Sequence, residues 1–137
     1  FESMIERIRG ADPLAGIRAT FILGFPGETD DDAAQVEDFV SATDLDWIGT
    51  FTYSREPGTG SYDMADQVAE AVARERAEAV SSAAEVTMER RSRSLVGSAF
   101  EVLAERLDLD DGSWIGRSQR EAPEIDGEIR FSTNSAL

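Results

Sequence analysis

The chain has no cysteine, no histidine and no lysine; its 13 basic residues are all arginine. The missing cysteines exclude a disulfide framework, and without cysteine or histidine the usual thiolate and imidazole metal ligands are absent. No apolar run approaches the length of a membrane span, and no charged-then-apolar leader opens the sequence. A cytoplasmic location is the default expectation. What is abundant is acid: 28 Asp and Glu give a net charge of -15. A surface this negative repels a phosphate backbone, because nonspecific nucleic-acid affinity comes mainly from Lys and Arg releasing counterions. RNA is therefore disfavoured as a partner of this region and a basic protein is favoured, although acid-rich, all-Arg composition also follows from genome composition or a high-salt habitat. Arg90, Arg91 and Arg93 form the single basic cluster, at the end of a predicted helix where cations complement the helix dipole.

The most informative stretch is Thr20-Phe21-Ile22-Leu23-Gly24-Phe25-Pro26-Gly27-Glu28-Thr29, a strand-like apolar run that breaks into a Gly-Pro-Gly turn and opens an acidic helix. In α/β proteins small ligands are held at the carboxyl ends of strands, by backbone and a few side chains. Gly24 and Gly27 lack Cβ atoms, which would let backbone approach a ligand, and Pro26 stiffens the turn. Thr29 is the expected N-cap, with Asp30, Asp31 and Asp32 in the favourable first turn. An acidic helix start without Lys or Arg argues against a phosphate cradle, and the spacing is neither a Walker A loop nor a dinucleotide fingerprint. A plain strand-to-helix turn is the structural alternative.

Along the chain, residues 2 to 10 read as a helix stopped at Gly10, 17 to 23 as a strand, 30 to 43 as an amphipathic helix with Val36, Phe39 and Val40 on one face, and 47 to 53 as a second strand. Strand, helix, strand implies a parallel βαβ unit. The loop from Ser54 to Asp63, with Pro57 and two glycines, is a lid-like candidate or a plain connector. A long helix is expected from about Gln67 to Ser94, with a narrow stripe of Val68, Val72, Ala79, Val80, Ala83 and Val86 suited to an interdomain brace. Beyond Ser94 the period shifts to short strands separated by Asp-Gly turns, the opening of a small antiparallel barrel.

FILGFPGET, the segment Phe51-Thr52-Tyr53-Ser54-Arg55-Glu56-Pro57-Gly58-Thr59, and the later Gly116-Arg117-Ser118-Gln119-Arg120-Glu121-Ala122-Pro123-Glu124-Ile125-Asp126-Gly127 occur in the order found in the radical S-adenosylmethionine methylthiotransferases. The last segment is similar to the GRS…APEIDG stretch of the RimO-type branch, whose substrate is an aspartate of a small-subunit ribosomal protein. The resemblance implies an α/β chain holding the carboxy-terminal βα units of a radical SAM partial (β/α) barrel (1–66), a linking helix (67–94) and a truncated, OB-like TRAM barrel (95–137). The family's enzymes carry two [4Fe-4S] clusters on cysteines, and this chain has no thiolate for either. With Phe1 opening in what reads as mid-helix, a carboxy-terminal fragment, inactive by itself, is expected.

By the same resemblance Thr20, Ile22, Gly24, Phe25, Pro26, Gly27 and Glu28 lie near S-adenosylmethionine. The wider superfamily pattern GxIxGxxE places its acid one position earlier than Glu28, so helix capping is the alternative role for that residue. Arg117, Glu121, Glu124 and Asp126 are the expected substrate-recognition residues, with a hairpin turn at Asp126-Gly127 as the alternative. Residues 95–137 hold nine acids and four arginines. That acidity fits a basic ribosomal protein better than the tRNA substrate of the MiaB-type branch. An acidic, noncatalytic protein-interaction module is the alternative from another class.

Overall fold

The structure is a computed structural model that describes residues 1–122 and 125–133. Glu124, one of the expected recognition residues, lies outside the described residues.

Helix α1 (Glu2–Ala11) runs through Gly10 and ends when the Asp12 N–H donates to the Ile8 carbonyl. Strand β1 (Arg18–Leu23) and strand β2 (Trp47–Thr52) pair in parallel, Arg18 opposite Trp47 through Leu23 opposite Thr52. Between them runs helix α2 (Asp30–Ala42), whose start is built by Thr29: its hydroxyl accepts from the Asp32 N–H while the Asp32 carboxylate accepts from the Thr29 N–H. This reciprocal pair satisfies two of the donors that a helix start leaves open, and its hydrogen bonds lower the pKa of the Asp32 carboxyl.

Helix α3 (Glu70–Ser94) begins three residues later than its sequence suggests, because Asp66 adopts a positive φ and Ala69 is extended. The helix lies directly on the βαβ unit. Its buried residues Ala73, Val80, Ala84 and Thr87 face the strands and α2, and the core is Leu23, Val40, Val80 and Ala84 flanked by Phe21, Val36, Ile48 and Met88. Small residues at Ala73 and Ala84 let the helix approach closely, and the Thr87 hydroxyl donates to the Val40 carbonyl at 3.0 Å, so no polar atom is wasted at the contact.

The alternation in β1 places Phe21 and Leu23 toward the helices and Thr20 and Ile22 on the opposite, exposed face. After α3, strands β3 (Leu103–Leu107), β4 (Trp114–Arg117) and β5 (Ile129–Phe131) form an antiparallel sheet in the order β3-β4-β5, with Ile115 buried at its centre. The Asp110–Gly112 turn is fixed by Asp108 and Asp111, both of which pair with Arg130 on β5. The chain is thus mixed α/β: a parallel βαβ unit, a long helix and an antiparallel sheet. Among the described residues no helix is long and apolar enough to cross a membrane.

Candidate functional site

The exposed face of the parallel sheet is divided into two halves. At the carboxyl ends of the strands, Ile22 is 59 % exposed and Phe51, its register partner, 61 %. Thr20 and Gly49 pair beside them. Phe25, 43 % exposed, meets Tyr53 edge-to-face at 5.2 Å, extending the apolar surface past the strand ends. The Tyr53 hydroxyl is buried and has no hydrogen-bond partner among the described residues.

The turn that follows β1 is held from within. Gly24 has φ +81°, and a Cβ there would overlap the Ala73 side chain of α3 and lie 3.1 Å from its Cα. Glycine is therefore required at position 24 by the close approach of α3. Gly27, with φ +86° and open space around it, is required by conformation alone. Its N–H donates to the Asp66 carbonyl at 2.9 Å, and Pro26 between the two glycines is buried.

Glu28 folds back so that both of its carboxylate oxygens accept from the Gly24 N–H at 2.9 Å, and Arg76 of α3 donates to the same carboxylate at 2.8 Å and to Asp30 at 2.6 Å. The helix cap is Thr29, so Glu28 fills neither the capping role nor an open ligand position. It ties the strand end to α3. The Ser54–Asp63 loop is likewise cross-linked: Arg55 donates to the Tyr62 carbonyl at 2.8 Å and stacks on its ring at 4.5 Å, and Gln67 donates to Ser61 and Met64.

At the amino ends of the strands the same face is covered. Three guanidinium groups from distant segments converge on Asp46, whose side chain is 3 % exposed: Arg9 of α1 at 2.5 Å, Arg91 of α3 at 3.0 Å, and Arg120 from the segment after β4. The Ile17 N–H adds a fourth donor at 2.9 Å. Burial pushes the Asp46 carboxyl upward, but the hydrogen bonds from Arg9, Ile17 and Arg91 outweigh it and hold its pKa below the ordinary range. The arginines also donate to the carbonyls of Pro13, Leu14, Ala15 and Asp44, which ties the cluster to the chain itself.

Of the expected recognition residues, Arg117 pairs with Glu105 across the sheet at 3.0 Å. The Glu121 carboxylate accepts from the Ser118 N–H and hydroxyl at 2.8 and 2.6 Å. Asp126 accepts from the Ala122 N–H at 2.8 Å and pairs with Arg18. These two carboxylates build the turn and dock it on β1, at the opposite end of the sheet from the Gly24–Glu28 turn.

Two arginines assigned by sequence to the α3 dipole have other partners: Arg90 donates to the Ser41 and Thr43 carbonyls at the end of α2, and Arg91 belongs to Asp46. The convergence on Asp46 is not legible in the sequence because its members are spread from residue 9 to residue 120. The only local signal is an aspartate set between Leu45 and Trp47 at a strand start.

The TRAM domain family matches residues 96–137. Ribosomal protein uS12 methylthiotransferase RimO of Microcystis aeruginosa is 40% identical over 136 residues, 99% of this chain and 31% of that protein. The protein of the same name from Synechococcus sp. (strain JA-2-3B'a(2-13)) is 43% identical over 99% of the chain and 29% of its own length. That of Streptomyces avermitilis is 39% identical over 100% of the chain and 28% of its own length. The chain therefore spans less than a third of these curated relatives. Along 99–100% of its length the chain is similar to these RimO-type methylthiotransferases, and residues 96–137 match the TRAM domain family.

Proposed function

We propose that this chain is the carboxy-terminal part of a radical S-adenosylmethionine methylthiotransferase, and that the whole enzyme methylthiolates the β-carbon of an aspartate in a basic small-subunit ribosomal protein. Ribosomal protein uS12 is the substrate in the relatives' names. On this reading residues 1–66 contribute to the catalytic barrel, 67–94 link, and 95–137 form part of the TRAM domain. The observation that carries the reading is the open apolar half-face of Ile22, Phe51 and Phe25 at the strand ends, in a chain aligned throughout with such enzymes.

The residues present fit part of the cofactor. An exposed aromatic and branched surface beside a buried, unpartnered Tyr53 hydroxyl suits the adenine and ribose of S-adenosylmethionine. When bound, S-adenosylmethionine supplies the radical and the methyl group. Thr20, Ile22, Phe25 and Phe51 would seat it, whereas Gly24, Pro26, Gly27 and Glu28 would fix the turn that presents Phe25. An iron–sulfur cluster does not fit: the chain has no cysteine or histidine, and no cluster of three or more acidic residues placed to hold a metal ion occurs among the described residues. No step through a cluster is assigned to these residues. Their contribution is to orient the cofactor and exclude water from one side of it.

For substrate recognition, the acidity of the TRAM region remains the supporting property, with Arg117 and its partner Glu105 on β3 more exposed than Asp126. The test uses the full-length parent, reduced anaerobically with S-adenosylmethionine and a sulfur source, and offered ribosomal protein and tRNA together. Mass spectrometry is expected to find the methylthio group on an aspartate of the ribosomal protein. Modification of the tRNA alone would overturn the reading.

A further inference from the structure

Arg120 stands out because its surroundings come from every part of the chain. Its side chain is 7 % exposed. The guanidinium pairs with Asp46, donates to the Leu14 carbonyl at 2.8 Å, and lies 5.5 Å from the Trp47 ring centroid and 5.3 Å from that of Phe100. Both aromatic distances fall within the cation–π range. The backbone around it is seated as closely. A Cβ at Gly16 would lie 2.8 Å from both the Arg120 carbonyl oxygen and the Trp47 ring, so glycine at 16 is what lets this segment settle against the sheet.

On the far side of Trp47 the indole N–H donates to the Asp126 carbonyl at 3.2 Å, and Asp126 pairs with Arg18. Arg18 and Trp47 are register partners and the first residues of β1 and β2.

We propose that residues Ser118–Ala122, together with Asp126, form a plug, locked by Arg120 onto Asp46, that covers the amino-terminal half of the exposed sheet face and, among the described residues, leaves the carboxyl ends of the strands open. The plug joins the TRAM sheet to the βαβ unit in one arrangement. The contact combines charge, stacking and a shape match at Gly16, which is more constraint than a single surface ion pair gives. Arg120 acts here as a positioning residue, through Asp46 and Trp47. The inference rests on packing alone and stands or falls separately from the activity proposed above.

Trp47 reports on the plug directly. In this chain carrying Trp114→Phe, so that Trp47 is the sole indole, adding Arg120→Met should raise acrylamide quenching of Trp47 severalfold while far-UV circular dichroism is retained. An exposed-pair control, Arg93→Met, should leave quenching unchanged. A folded Arg120→Met variant with unchanged quenching would overturn the proposal. Should Arg120→Met fail to fold, hydrogen exchange on the unaltered chain decides. The Ser118, Arg120 and Ala122 amides should exchange as slowly as those of β2, and exchange as fast as in the Ser54–Asp63 loop would overturn it.

Discussion

Gly24→Ala is expected to unfold or severely weaken the chain, although it adds one methyl group. The residue would have to hold φ +81°, which costs a non-glycine residue about 1–2 kcal/mol, and its Cβ would collide with Ala73 in a helix that cannot withdraw without uncovering Leu23 and Val80. Overpacking of this kind adds about 1–3 kcal/mol. Gly27→Ala shares the positive φ but has open space, so only the conformational cost of about 1–2 kcal/mol applies. Urea denaturation of both variants checks the difference. Equal losses would show that α3 does not press on the turn as the structure has it. The comparison also separates two reasons for a glycine that a sequence cannot distinguish, close approach by a ligand and close approach by a helix.

Asp46→Ala is expected to cost about 3–5 kcal/mol, since three guanidinium groups would lose their shared, buried counter-charge. The same site sets a pH dependence. The Asp46 carboxyl titrates below its ordinary value, so its contribution is fully present above the unfolded-state pKa of about 3.9 and is lost as pH falls through the lower folded-state value. Other acids titrate in that range as well, so the quantity to follow is the stability difference between the native chain and Asp46→Asn. That difference should be flat from neutral pH to about pH 4 and shrink below it. A difference that instead grows on acidification would contradict the assignment of the charged carboxylate as the favourable form.

Periodicity and turn chemistry made the βαβ unit legible. β1 and β2 fall where alternation places them, and Thr29 caps α2 as its residue type and the following acids imply. The Asp-Gly turns marked the antiparallel strands for the same local reason. Long-range partners left no such trace. Glu28 reads as a helix-start acid and folds back instead on the Gly24 N–H and Arg76, 48 residues away. α3 reads as a polar brace because its contact stripe is alanine, valine and threonine, residues too small to raise the apolar pattern but needed for a helix lying this close to a sheet. Glu121 and Asp126 carry a turn and an ion pair, which in sequence look the same as a charged recognition loop.

Thr20 and Ile22 share the open half-face by alternation alone, and Phe51 joins them through the strand register. The proposed role of this face is tested most directly by titrating S-adenosylmethionine into the full-length parent and into its Phe51→Ala variant by calorimetry, with cluster content measured in both. Loss of one aromatic contact should weaken binding roughly 3- to 10-fold with cluster content unchanged, the effect of about 0.5–1.5 kcal/mol of ring contact. Equal affinity in a folded variant with full clusters would contradict the placement of the cofactor on this face.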